Sequence, residues 1–188
     1  MKHTLTSLAA IACLGLAATA AHAADGLITF EGAVVDTSCQ ININGSGVGT
    51  PNGTVMLPTV SMGALDEAGK TDGTTGFTIS LSGCTIGTKT GARAFFESTP
   101  GVTISPDGNL TNTLGVNGAS NVDLRLLDSD SSTQIVPGDV GQESMPYTTL
   151  NQNAGGTTIL HYYVQYYATG AAQPGGVVSQ AAFSIIYN

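Results

Sequence analysis

Short runs of strand-forming residues, broken again and again by Gly, Asn, Asp or Pro, recur from residue 27 to the end of this chain. No window holds the 3.6-residue apolar spacing that an amphipathic helix needs, which confines the chain to the all-β class. The runs predict strands at 27–35, 39–43, 54–60, 77–81, 92–97, 122–127, 158–168 and 181–187, with weaker ones at 102–104 and 147–150. Turn signals fall between them, among them Asn44-Gly45, Pro51-Asn52-Gly53, Asp72-Gly73, Pro106-Asp107-Gly108, Asn117-Gly118 and Pro137-Gly138. Strands at this spacing point to a β-sandwich, and no fixed-period repeat or linker divides the chain.

The first 23 residues stand apart from that pattern. Lys2 and His3 lead into an apolar, Ala-rich stretch from Leu8 to Ala21, which closes on Ala21-His22-Ala23. Its core is too short for a permanent span, and small residues at −3 and −1 suit a peptidase, so a secretory signal peptide over 1–23 is expected, with the mature chain starting at Ala24. Removing 23 residues from 188 leaves 165, the size of one domain. Losing Lys2 takes the formal charge from −8 to −9, which argues against nucleic acid or an anionic membrane surface as partner. No later run is long and apolar enough to hold the product in a bilayer. Cys13 leaves with the leader, so Cys39 and Cys84 remain in a chain bound for an oxidising compartment. One disulfide between them is expected, worth about 4 kcal/mol on the chain-entropy model. The competing reading is a pair of free or metal-bound thiols, for which neither cysteine has a CxxC or histidine neighbour.

Motifs for chemistry are sparse. His161 is the single histidine after the leader and lies in a Tyr-rich strand, away from any plausible nucleophile. Gly45-Ser46-Gly47-Val48-Gly49 looks like a phosphate loop but lacks the following Lys-Ser/Thr, and reads as a flexible turn. Asp128-Ser129-Asp130-Ser131-Ser132 has calcium-like spacing, yet Thr133 and Asp139 stand where an EF-hand loop needs Gly and Glu, so a solvated loop is expected. The Asn-x-Ser/Thr sequons at Asn44, Asn52 and Asn109 carry no weight outside a eukaryotic secretory route. Neither a catalytic residue, a cofactor nor a metal is expected.

The two ends are more informative. In segment 25–35, period-2 alternation puts Ile28, Phe30, Gly32 and Val34 on one face; in 180–188 it does the same for Ala181, Phe183, Ile185 and Tyr187. Either could be an ordinary terminal strand. Taken with other landmarks, however, they resemble the type 1-like fimbrial subunit family of chaperone–usher pili over the whole mature chain. The carriers are Phe30-Glu31-Gly32 ahead of Cys39, the second cysteine in Leu81-Ser82-Gly83-Cys84, the run from Val164 through Gln165-Tyr166-Tyr167 to Gly170, Gly175 fourteenth from the end, and penultimate Tyr187. The family often has Arg or Lys where Gln165 stands.

That resemblance implies an incomplete immunoglobulin-like β-sandwich over 37–188, lacking its last strand, and a donor-strand extension over 24–36. A periplasmic chaperone first fills the groove; at an outer-membrane usher, the extension of a neighbouring copy or related pilin replaces it. Ile28, Phe30 and Val34 would enter the neighbour's pockets with Gly32 at a close approach, Phe183, Ile185 and Tyr187 would line the acceptor and chaperone-binding edge, and Cys39 and Cys84 would tie the early strands. The function implied is a structural subunit of an adhesive fimbria, exported through the periplasm to the cell surface. A minor tip or adaptor subunit is the alternative within the family. A secreted carbohydrate-binding sandwich is the alternative outside it, though the chain has no Trp to stack on a sugar.

Overall fold

The computed structural model describes residues 38–44, 51–85, 87–153 and 155–188. The expected leader 1–23, the extension 24–36 and the Gly45–Gly49 run lie outside the described residues. Among the described residues nine strands form: β1 (Ser38–Ile43), β2 (Thr71–Thr85), β3 (Gly91–Ser98), β4 (Leu110–Thr111), β5 (Val122–Leu127), β6 (Gln134–Ile135), β7 (Thr148–Thr149), β8 (Thr157–Ala168) and β9 (Ala181–Tyr187). Two short 3-10 turns, Met62–Leu65 and Val140–Ser144, accompany them.

One sheet has the order β1-β2-β8-β5-β4, with β6 added to β5; the other has the order β7-β3-β9. Every pairing between these strands is antiparallel. Period-2 alternation makes the inner faces apolar: Phe77, Ile79 and Leu81 from β2 and Leu160, Tyr162 and Val164 from β8 face Ala92, Ala94 and Phe96 from β3. The sheets meet through three rings. Phe96 stands edge-on to Tyr162 with centroids 5.0 Å apart and to Phe77 at 6.3 Å, arrangements worth about 0.5–1.5 kcal/mol each beyond their area. A smaller cluster of Leu65, Val122, Ala168 and Ala172 fills one end beneath the 62–65 turn.

The short β7 meets β3 only at Gly91 and Ala92. Beyond it, side chains complete that edge of β3: the Tyr162 hydroxyl accepts from Ala94 N at 2.8 Å, and the buried Gln142 amide both accepts from Phe96 N and donates to Phe96 O. Burial without such partners would cost about 1–3 kcal/mol per group. Arg93, also buried, donates to the carbonyls of Glu143 and Met145 and lies over the Tyr147 ring.

Several expectations need correction. Residues 54–60 form no strand; they run as coil through Pro58, with Val55 and Leu57 against the core, because among the described residues no strand lies beside them to pair with. Asp72-Gly73 is not a chain reversal. It is a bulge inside the 15-residue β2, where the register with β8 shifts between Asp72 and Thr75. The expected strand at 102–104 reduces to one bridge, Ile104 to Leu110, and β4 and β6 were not foreseen.

Cys39 and Cys84 are joined as a disulfide between adjacent strands β1 and β2. The pairing passes from Ser38–Thr85 to Gln40–Ser82, so β2 holds one extra residue there, and Gly83 takes the left-handed φ of +56° that this bulge requires. Gly175 is needed for a different reason: a Cβ built on it would lie 2.3 Å from Ala119 N and 2.4 Å from Gly118 C.

Two outcomes are expected. Cys84→Ser or Cys39→Ser should lose a few kcal/mol of stability and most of the yield of folded protein; mass spectrometry of exported material showing two free thiols would remove the premise. Gly175→Ala forces backbone apart and should cost about 1–3 kcal/mol, read as a lower denaturant midpoint.

Candidate functional site

Strand β9 is bonded to β3 along its whole length, from Ser98–Ala181 to Ala92–Tyr187. Among the described residues no strand pairs with its other edge. Beside that edge a groove of about 770 Å³ opens between the sheets. Phe77, Ile79, Leu124, Leu126 and Val164 form its floor, since these are the inward positions of β2, β5 and β8 that no β3 residue covers completely. One wall is Val177–Phe183, leading into β9; the other is the coil from Pro51 to Leu57 together with Ile43.

Among the described residues no carboxylate, amine or guanidinium lines the groove. Its one ionisable group is the Tyr166 phenol, whose pKa burial pushes above its ordinary value, so it is neutral throughout the physiological range. That hydroxyl donates to the Pro58 carbonyl at 3.1 Å and so ties the coil wall to β8. Beside its apolar floor the described lining carries neutral polar side chains, Asn52, Thr54, Thr99, Ser179 and Gln180. It can take an extended apolar segment, while the free edge of β9 offers a row of N–H and C=O groups to the segment's backbone.

The residues singled out from the sequence fall as follows. Phe183 lines the groove; Ile185 and Tyr187 follow it on the same face of β9, half-buried against the core, and desolvation raises the Tyr187 phenol pKa. Ile28, Phe30, Gly32 and Val34 lie outside the described residues. His161 is exposed on the outer side of β8. The Asp130 carboxylate accepts from the backbone N–H groups of Ser132 and Thr133 and from the Thr133 hydroxyl, which depresses its pKa and closes the β5–β6 turn. The sequence reading missed the coil wall, having read it as a strand, and the floor contributed by Leu124, Leu126 and Val164. The alternation of β5 and β8 marked those three as buried, but not as lying under an opening.

An immunoglobulin-like sandwich whose described residues leave the last strand open-edged over an uncharged apolar groove defines the pilin class of structural subunit. Comparison with known proteins carries this to a family. The FimA family, type-1 fimbrial protein A, matches residues 57–188. The chain is 40% identical over 184 residues to the major fimbrial subunit SMF-1 of Stenotrophomonas maltophilia, covering 93% of this chain and 99% of that one. It is likewise 40% identical over 181 residues to the F17 fimbrial protein of Escherichia coli, covering 93% and 96%. A solved chaperone–usher pilus shares the fold, with a TM-score of 0.58 at 20% identity over 88% of this chain and 96% of that one. The chain belongs to the type-1 fimbrial protein family and is a structural subunit of a cell-surface fimbrium.

Tyr166→Phe keeps the ring and removes its bond to Pro58. Faster amide hydrogen exchange through residues 55–60 is expected, with a loss of about 0.5–1.5 kcal/mol; unchanged exchange there would show that the hydroxyl does not hold the wall.

Proposed function

We propose that the groove beside β9 receives an extended strand from a neighbouring subunit, and that residues 25–35 are the strand this chain lends in turn. The observation that carries the reading is the open edge of β9 above a groove without a single charge. The period-2 face of Ile28, Phe30, Gly32 and Val34 is complementary to it in chemistry. Eleven residues at about 3.3 Å each reach roughly 36 Å, more than the length of the seven-residue β9. An open apolar groove invites aggregation, so the subunit is held during export by a periplasmic chaperone that fills it, and an outer-membrane usher exchanges the chaperone for the next subunit's strand. Residues 1–23 direct the chain into that route. The similarity to a major fimbrial subunit supports a place in the repeating shaft.

Deleting 25–35 separates lending from folding. The shortened subunit is expected to co-purify with its chaperone but to form no filaments. Phe30→Asp, which would bury an unpaired ion at a cost of several kcal/mol, and a bulky residue at Gly32 should act in the same way. If the deletion abolished the chaperone complex, segment 25–35 would belong to the subunit's own core and the donor assignment would fall.

A further inference from the structure

A second cavity, of about 400 Å³, lies away from the groove, between the β5–β6 turn and the Val140–Ser144 turn, and Asp128, Asp130 and Asp139 line it. The three carboxylates are not equivalent. Asp130 is spent on the turn it closes, and Asp139 accepts from Gly141 N at 2.6 Å as the cap of the 3-10 turn. Asp128 is 92% buried, being 8% exposed, yet among the described residues its carboxylate has no hydrogen-bond or ion-pair partner. Its oxygens are not among the polar atoms sealed from solvent, which leaves the cavity as their outlet. Arg93, the buried cation of the described residues, is already committed to the Glu143 and Met145 carbonyls and to Tyr147.

A largely buried carboxylate that reaches solvent only through a cavity offers a cation entering that cavity an acceptor with no competitor among the described residues. Among the described residues no three His, Cys, Asp or Glu side chains converge as a metal would require. One free carboxylate with two further negative charges nearby suits a primary ammonium, a compact point charge on a flexible stem. Such groups exist on this chain. Arg125 is taken up by Asn109 and the Tyr167 ring, but Lys70 is exposed and Lys89 half-buried, and neither is ion-paired among the described residues. Copies carrying −9 each repel one another, and docking is favoured where a residual positive charge meets an acidic recess. We infer that the Asp128 cavity receives Lys70 or Lys89 of a second copy of this chain, a contact between subunits separate from the strand groove. The inference rests on the reading that copies assemble.

The test uses filaments assembled from mixed light and ¹⁵N-labelled subunits and treated with a water-soluble carbodiimide, which joins a touching carboxylate and amine as an amide with loss of water. The expected product is an isotopically mixed peptide linking Asp128 to Lys70 or Lys89. Lys70→Gln or Lys89→Gln, surface changes that leave the fold intact, should erase it. The same lysine variant and Asp128→Asn should each speed subunit loss from filaments by roughly fivefold at low salt and make no difference at about 1 M salt. Filaments that form normally but yield no inter-copy link at Asp128, or whose lysine variants leave low-salt stability unchanged, would overturn the contact and spare the strand-exchange reading. Failure of the wild-type chain to form filaments at all would overturn both.

Discussion

A β-strand bonded along one edge leaves the N–H and C=O groups of its other edge to find partners elsewhere, and β9 is in that position above an apolar floor. The rest of the sandwich is arranged around this single vacancy. The long β2 and β8 form a rigid back sheet, the disulfide ties β1 to it, and the aromatic trio of Phe77, Phe96 and Tyr162 holds β3 against it. β3 in turn holds β9. The open edge is therefore presented by a frame packed through its own core.

The contrast within the smaller sheet is instructive. Its outer strand β7 is only two residues long, yet the corresponding edge of β3 is closed by Tyr162 and Gln142, whose side chains do the work of a missing strand. Both edges of this sheet lack a full neighbouring strand among the described residues. One is sealed from within by buried side chains, and the other, the free edge of β9, borders the groove.

The alternation of apolar residues made most of the strands legible, and 122–127 and 181–187 match β5 and β9 to the residue, because Asn121 and Asp128 bound the first and half-buried Ala181, Phe183 and Ile185 alternate with exposed Ala182 and Ser184 in the second. Where the alternation misled, the cause was a missing partner or a local backbone device. Residues 54–60 have strand chemistry but contain Pro58 and, among the described residues, have no strand to pair with; Asp72-Gly73 has turn chemistry but sits in a bulge that lets β2 continue. The Gly83 and Gly175 landmarks were visible as resemblances, and their physical reasons, a left-handed bulge and a backbone contact, needed coordinates. The closure of β3 by Gln142 could not be read in advance, since it pairs residues 46 apart through one side chain.

The uncharged lining of the groove has a consequence for the environments a filament can withstand. On the receiving side, the described lining brings no group that titrates between mild acid and mild alkali, the Tyr166 phenol included. That lining also has no charge for dissolved ions to screen. An apolar segment seated there would be held alike in fresh water, brine or an acidified fluid, and what would loosen it is loss of the hydrophobic driving force, through cooling or through solvents that wet apolar surface. Any response of a fibre to salt or acid would then have to enter through the seated segment or through contacts outside the groove.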